Sequence, residues 1–361
     1  MAINAGKGQK AVANWIFIGV GMLLVQVILG GITRLTGSGL SITEWKVLSG
    51  SLPPMNDVQW QAAFGKYQQT PQYQLLNAGF TLSDFKFIYF WEWLHRNWAR
   101  LISVVFVVGF VYLAVKKYLQ PKMVKPLLIL FVLGGLQGAI GWIMVKSGLT
   151  DDMVYVKPLK LSLHFTFALG LICYAWWFGL QLSVSPAQLV FNTAVRKWTW
   201  LIIGVLFFQL LYGALMAGHK AATVAPTWPS INGALVPDNL FAGNNAFIEN
   251  KITVQFIHRL LAYLLLLLTI VWSVKTKKVT TASALFNKIR WAPMGVILLQ
   301  VVLGIAAVLS SPGIVPNRWG LFEWVAQLHQ VTGMLYLLVM VFLLYLVRKT
   351  GTIAPGATIP G

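Results

Sequence analysis

The sequence predicts an all-α integral membrane protein with eight transmembrane helices, arranged as two tandem four-helix bundles related by duplication. Three observations predict this fold. Of the 361 residues, 57% are hydrophobic and only 10% are charged. Several apolar runs exceed the roughly 18 residues that cross a bilayer as a helix. The motifs of the first half also return in the second half at fixed offsets.

Eight apolar runs are long enough to be transmembrane helices. The first run is too long for the apolar region of a signal peptide and no small-residue cleavage site follows it, so we expect it to be a span. The single cysteine, Cys173, lies in an apolar run and is expected to be a packing residue, which excludes an intrachain disulfide. The expected spans cover residues 11–32, 86–115, 126–146, 160–182, 198–217, 251–274, 291–310 and 323–347.

The distribution of charge predicts the orientation in the membrane. Placing the N-terminus, the C-terminus and the loops that follow the even-numbered spans 2, 4 and 6 on one side collects 15 of the 28 basic residues and none of the nine acidic ones. By the positive-inside rule both termini are cytoplasmic, and the opposite loops are called the outer loops here. The net charge of +19 is then a topology signal and an attraction to anionic lipid, so membrane lipid is an expected partner and nucleic acid is not.

The repeat divides the chain into two halves, residues 1–185 and 186–361. The first outer loop carries 20 extra residues between Met55 and Asp84, because the offset between matching residues falls from 183 to 163 across it. An offset of 183 superimposes Gln26, Gly30, Trp45, Gly50 and Pro54 on Gln209, Gly213, Trp228, Gly233 and Pro237. An offset of 163 superimposes His95, Arg96, Gln137 and Gly141 on His258, Arg259, Gln300 and Gly304, and His164 meets His329 at an offset of 165.

The odd-numbered spans share the pattern Gln-x-x-x-Gly. Residues four apart lie on one helix face, so the glycine would let a neighbour or a flat ligand approach while the glutamine supplies a hydrogen bond. Ordinary small-residue helix packing is an equally good account of any single copy. The four copies are Gln26/Gly30, Gln137/Gly141, Gln209/Gly213 and Gln300/Gly304.

Four of the five histidines occupy matching places on the even-numbered spans, within the first turns after an outer loop. They are His95 and His164 in the first half, and His258 and His329 in the second. Zinc or copper usually takes a third or fourth protein ligand, and a proton relay needs acids at mid-membrane, whereas all the acids lie at the outer edge. The histidines therefore favour haem iron.

Haem also needs basic groups for its propionates and a slot between helices. Candidate propionate partners are Arg96, Arg100 and Arg259, although snorkelling of the arginine side chain to the membrane interface explains any one of them equally well.

The two halves differ three residues before the first histidine of each half. The first half has Glu92, and the second has Gln255 at the matching position. Since residues three apart share a helix face, Glu92 should project beside whatever His95 contacts, where a carboxylate could bind a proton, position water or stabilise a cation. A helix-start carboxylate paired with Arg96 is the structural alternative. The asymmetry suggests a reactive first half and an electron-transferring second half.

Several motifs then identify a resemblance to a known family, the heme A synthases, over nearly all eight spans. The segments that carry it are "GGITRLTGSGLSITEW", "GSLPP", "EWLHRNWAR", "LQGAIGWIMVKSGL", "GALMAG", "TWPSINGALVP" and "QFIHRL". The resemblance implies oxidation of the C8 methyl group of heme O to a formyl group, through successive hydroxylations to a gem-diol with oxygen derived from water. The product would be the heme A of terminal oxidases.

The same resemblance implies the site residues and partners. His95 and His164 would border the heme O site with Glu92 as the essential acid, while His258 and His329 would ligate a b-type haem. Because the outer loops have no cysteine pair, the chain resembles the cysteine-free-loop type. Expected partners are heme O synthase and oxidase assembly factors, and the expected location is the bacterial cytoplasmic (inner) membrane with the haem sites toward the outer face.

Other functions remain open at the level of sequence. A di-haem electron-transfer protein, or a quinol-linked reductase that does not modify its haem, fits the matched histidines equally well, but it needs no Glu92. His219 is not matched by the repeat and is expected in a wet outer loop. The Trp/Gly/Pro frame of residues 33–54 suggests an ordered cap over the bundle mouth. The electron acceptor and the oligomeric state, a homo-oligomer included, are not specified.

Overall fold

The computed structural model describes residues 2–45, 49–150, 153–238, 240–315 and 318–348. Within these residues it has eight helices that are long and apolar enough to cross a membrane, which confirms the predicted all-α membrane fold. The helices are α1 (Ala2–Leu35), α2 (Asp57–Gln68), α3 (Pro71–Leu76), α4 (Leu82–Val115), α5 (Pro121–Lys146), α6 (Pro158–Ser183), α7 (Thr193–Gly218), α8 (Ala246–Glu249), α9 (Lys251–Lys277), α10 (Ala284–Ile289), α11 (Ala292–Ser310) and α12 (Leu321–Leu346).

Several helices begin earlier than their apolar runs. A capping box starts α4, since the Asp84 carboxylate accepts the Thr81 amide at 2.8 Å while the Asp84 amide donates to the Thr81 hydroxyl at 3.3 Å. Prolines start α5 and α6, where a missing amide hydrogen costs nothing. Hydropathy detects only the apolar part of a helix. The spans predicted from it therefore begin after these polar first turns.

The last span ends one residue earlier than expected because the chain changes conformation there. Val347–Arg348 forms a short parallel strand pair with Val190–Phe191, which lies in the linker between the two halves. Arg196 at the start of α7 donates to the carbonyl oxygens of Leu344, at 3.1 Å, and Val347. The end of α12 is therefore fixed to the beginning of the second half.

One hydrophobic core runs through both halves. It contains fully buried residues from the first half, such as Val12 and Ile172, together with Ile202, Trp272 and Met340 from the second. Helix α6 packs against α7 and α12, and α1 also contacts α12. Within the halves, α1 packs against α4 and α6, whereas α7, α9, α11 and α12 form a closed ring. The two predicted bundles thus pack as one body.

The extra segment of the first outer loop folds into helices α2 and α3, which form a cap. Phe64, Tyr67, Phe85 and Ile88 form its buried cluster against the start of α4, and burial raises the pKa of Tyr67 to about 12. Gln72 donates to the carbonyl oxygens of Gly37 and Val154, at 3.3 and 3.2 Å, so the cap joins the start of its own outer loop to the second outer loop.

Some predictions fall outside the described residues. The ordered loop predicted over the bundle mouth, residues 33–54, is a different segment from α2 and α3, and its residues 46–48 lie outside the described part of the chain. The charge pattern used to predict the orientation includes Asp151, Asp152 and Lys349, which also lie outside it.

Candidate functional site

Each matched histidine lies against the glycine of a Gln-x-x-x-Gly helix. A Cβ atom added to Gly141 would stand 2.9 Å from the His164 ring, and one added to Gly304 would stand 2.9 Å from the His329 ring. The corresponding distance is 3.2 Å for both Gly30 with His95 and Gly213 with His258. The glycines therefore admit an imidazole, which confirms their predicted role in close approach.

The glutamines of the same pattern hold the histidine segments. The Gln26 amide donates to the His95 backbone carbonyl at 3.2 Å, and the Gln137 amide does the same to His164. In the second half, the side-chain nitrogens of Gln209 and Gln300 lie 3.3 Å from the Nε2 atoms of His258 and His329. The hydrogen bond predicted for the glutamines is present in all four copies.

Each of these four amides also keeps one buried oxygen without a hydrogen-bond partner among the described residues. Buried unpaired polar atoms number only a few per hundred residues in folded proteins. Four at matching positions beside four imidazoles mark the places where a bound group would complete the hydrogen bonding.

The second histidine pair has a geometry that fits one iron atom. The ring centroids of His258 and His329 are 6.3 Å apart with an angle of 72° between the ring planes. Two imidazoles at this separation could both bind one metal atom, each with a metal–nitrogen bond of about 2 Å. His329 Nδ1 lies 3.1 Å from the Gln300 carbonyl oxygen and donates to it in the tautomer that leaves a lone pair on Nε2, the nitrogen that faces the Gln300 amide at 3.3 Å.

The first histidine pair is arranged differently. His95 and His164 make no such ring-to-ring contact in the described part of the chain, although each is seated against its glycine in the same way. The described residues also contain no cluster of three or more His, Cys, Asp or Glu side chains that would hold a metal ion directly. Haem, which needs only one or two imidazoles, stays the predicted occupant of these histidine pairs.

Glu92 is almost completely buried, at 2% exposure, and both carboxylate oxygens accept hydrogen bonds. Oε1 accepts from the Arg96 guanidinium at 2.6 Å. Oε2 accepts from the Ser41 hydroxyl at 2.7 Å and from the Ile42 amide at 2.8 Å. The pairing of Glu92 with Arg96 expected for a structural carboxylate is therefore present. Three donors therefore hold the carboxylate in one orientation.

The matching position in the second half makes a different contact. Gln255 is fully buried and donates to the Ala225 carbonyl at 2.9 Å, while its side-chain oxygen has no partner among the described residues. Ala225 corresponds to Ile42 at the offset of 183. Both side chains therefore hold the same place in the outer loop, one as an acceptor and the other as a donor.

The arginines one turn later clamp the same loops. Arg96 donates to the carbonyl oxygens of Ile42, at 3.0 Å, and Glu44, at 3.2 Å. Arg259 donates to the carbonyl oxygens of Ala225, Thr227 and Ser230, at 3.4, 2.7 and 3.0 Å. Arg100 lies on the same helix as Arg96 and donates to the Asn97 side chain at 2.6 Å. Propionate binding by these arginines stays a prediction, since loop carbonyls already accept from Arg96 and Arg259, and Asn97 accepts from Arg100.

Three further residues were not predicted correctly. Ser41 was missed, although Val224 at the matching position of the second half is a signal that could have found it. Arg34 was also missed, and its Nε atom is buried without a partner among the described residues. The wet environment expected for His219 is wrong, because its side chain is only 7% exposed and Nε2 lies 2.7 Å from the Ile248 carbonyl. Helix α8 folds back over it.

Comparisons with known proteins agree on one family. A model of the family described as cytochrome oxidase assembly protein matches residues 13–341. A heme A synthase of Caulobacter sp. (strain K31) is 39% identical over 84% of this chain and 89% of its own length. One of Parvibaculum lavamentivorans is 43% identical over 73% of this chain and 77% of its own. One of Methylobacterium radiotolerans is 38% identical over 99% of this chain and 96% of its own.

Proposed function

Because the chain belongs to the family of cytochrome oxidase assembly proteins, we propose that it is a heme A synthase, which oxidises the C8 methyl group of heme O to the formyl group of heme A. Converting the methyl to a formyl group takes up one water oxygen and releases four protons and four electrons, so the reaction needs an electron acceptor. The observation that carries the proposal is the matched set of four seated histidines with a carboxylate in one half only.

The first half would carry the reaction. His95 and His164 border the place for heme O, and Glu92 lies one helical turn before His95 on the same face of α4. A carboxylate held at that place can accept a proton released at the methyl carbon, or stabilise positive charge that develops there. The buried surroundings of Glu92 exclude bulk water from the carboxylate.

The second half would hold a b-type haem as the resident cofactor. His258 and His329 are the residues that would hold it, on the grounds of their ring separation and the hydrogen bond from His329 Nδ1 to a backbone carbonyl. When bound, the haem supplies reversible one-electron chemistry, which would carry electrons from the first half toward the acceptor. Gln255 in place of Glu92 leaves no carboxylate at the matching position beside it.

The protein lies in the bacterial inner membrane as a multi-pass protein, consistent with its eight apolar helices and its relatives. We propose that both termini are cytoplasmic and that the two histidine pairs lie toward the outer face, on the grounds of the basic loops. A protein of this kind would receive heme O from heme O synthase and pass heme A to oxidase assembly factors.

The deciding experiment compares the native chain with Glu92→Gln, purified from cells supplied with heme O and an electron acceptor. The pigment is extracted and separated by chromatography with mass detection. We expect heme A or its hydroxylated precursor from the native chain, and loss of both in the variant while b-type absorption persists. Glu249→Gln, which removes an exposed carboxylate from the second half, is the control and should retain product formation.

Only unmodified haem from a haem-loaded native chain would contradict the synthase. That result would favour the electron-transfer protein instead. If Glu92→Gln forms as much product as the native chain, the protein is still a heme A synthase, but the Glu92 carboxylate takes no part in the reaction.

A further inference from the structure

The outer loop of the first half inserts a serine hydroxyl against the Glu92 carboxylate. Ser41 is 2% exposed and its hydroxyl donates to Glu92 Oε2 at 2.7 Å, which is much shorter than its 3.4 Å approach to the Ile88 carbonyl. The Ile42 amide donates to the same oxygen at 2.8 Å. Two donors from adjacent loop residues therefore fix Oε2.

The two oxygens of Glu92 are left with different capacities. A carboxylate has about four lone-pair sites, and Oε2 uses two of them on Ser41 and Ile42. Among the residues that the structure describes, Oε1 accepts only from Arg96, at 2.6 Å, so one of its lone pairs is not used by these contacts. The loop thus determines which oxygen is available to a proton or to a water molecule.

The second half builds the same loop and helix contact without this hydroxyl. Val224 stands at the position of Ser41, and Gln255 stands at the position of Glu92. Arg259 nevertheless holds its outer loop through three carbonyl oxygens, as Arg96 does through two. Closing the loop onto the helix therefore does not require a serine. The serine and the carboxylate occur together in the first half, and both are replaced in the second.

We propose that Ser41 is a positioning residue for heme O oxidation, whose hydroxyl holds Glu92 Oε2 so that Oε1 is presented to the reacting group. The inference rests on the proposed role of Glu92. It goes further, because it assigns the orientation of that carboxylate to a loop residue that touches neither histidine pair in the described contacts.

The test compares Ser41→Thr with Ser41→Val in the full-length, haem-loaded protein. Threonine and valine have nearly the same shape and differ by the hydroxyl, and valine is the residue that the second half uses. We expect Ser41→Thr to keep most of the conversion of heme O, and Ser41→Val to lose on the order of 10-fold to 100-fold, the range for a hydrogen bond to a charged group. The b-type absorption per protein should be equal in both variants.

A second comparison asks whether Ser41 acts through Glu92. Ser41→Ala should lower conversion in the native background. In a Glu92→Asp background the shorter carboxylate does not reach the Ser41 hydroxyl, so Ser41→Ala should cause no further loss of the residual activity. Val224→Ala is the matched control in the second half, and it should leave conversion unchanged. Ser41 variants should also shift the ratio of hydroxylated precursor to heme A, which a loss of folded protein would not change.

The outcomes separate this inference from the proposed function. If the native chain converts heme O and Ser41→Val converts it equally well, the positioning role is wrong while the synthase stands. Equal losses in Ser41→Thr and Ser41→Val with b-type absorption intact also overturn it, because the hydroxyl would not be the cause. If Ser41→Val and Ser41→Ala lose b-type haem while Ser41→Thr retains it, the hydroxyl is needed for the structure of the protein. That result would also overturn the positioning role. No conversion by the native chain contradicts the proposed function itself.

Discussion

Replacing Gly304 with alanine tests the seating of the second histidine pair. The added Cβ would lie 2.9 Å from Cε1 of His329, whereas ordinary van der Waals contact begins at 3.4 Å. The imidazole would have to move by about half an ångström, the limit within which a functional site must be held. The ring cannot move freely, because Nδ1 lies 3.1 Å from the Gln300 carbonyl and the Gln300 amide lies 3.3 Å from Nε2.

The size of the effect follows from the cost of the overlap. Inserting a methyl group into a packed site costs about 1–3 kcal/mol, and a loss of that size at the axial ligand weakens haem binding by roughly 5-fold to 150-fold. The assay measures b-type absorption per protein, and then the rate at which the bound haem transfers to an excess of an apo-globin. We expect Gly304→Ala to retain less haem and to release it faster than the native chain.

Gly295 on the same helix is the matched control. A Cβ there meets no atom within 4 Å, so Gly295→Ala should bind haem like the native chain. Native haem content and release from Gly304→Ala would refute the reasoning, because the histidine would then not be held by the glycine. An equal loss from Gly295→Ala would assign the effect to helix α11 as a whole.

Three further predictions follow from the same contacts. Gly141→Ala, whose Cβ would stand 2.9 Å from the His164 ring, should lower heme O conversion while b-type absorption is unchanged, and a loss of b-type haem instead would contradict the assignment of the two halves. Gln72→Ala removes two hydrogen bonds from the cap, so it should lower the free energy of unfolding by about 1–3 kcal/mol and speed proteolysis in the first outer loop; unchanged proteolysis would show that the cap does not depend on them. Arg259→Gln should loosen residues 225–230, measured as faster hydrogen exchange there, and unchanged exchange would show that Arg259 is not the clamp.

Hydropathy and the internal repeat account for most of what could be predicted. The spans could be predicted from the lengths of the apolar runs alone, because the thickness of the bilayer sets the length of a transmembrane helix. The offsets predicted that Gly141 and Gly304 would occupy matching places and admit a close neighbour, and the structure identifies that neighbour as His164 or His329. The presence of Glu92 in one half only was also visible before any coordinates.

The partners of Glu92 could not be predicted in the same way. Ser41 is 51 residues away, and which face of the outer loop meets α4 depends on the path of an irregular segment. The burial of His219 depends on where α8 folds back, and hydropathy has no information on that. The joint core of the two halves, which contains both Ile172 and Ile202, also depends on contacts between residues far apart in the chain rather than on periodicity within one helix.

The shared core limits how the two halves can move relative to each other. A hinge needs a linker that is free to change conformation, but here the linker strand Val190–Phe191 pairs with Val347–Arg348 at the end of the last span. The α1 and α12 helices are joined by hydrogen bonds from Gln327 and Gln330 to the backbone of α1, at 3.2 and 3.1 Å. Both histidine pairs therefore belong to helices of one packed core, which keeps the distance between the pairs constant. In the proposed function, an electron passing between them would cross that fixed distance on every turnover, and excising either half to study it alone would remove the scaffold that sets the distance.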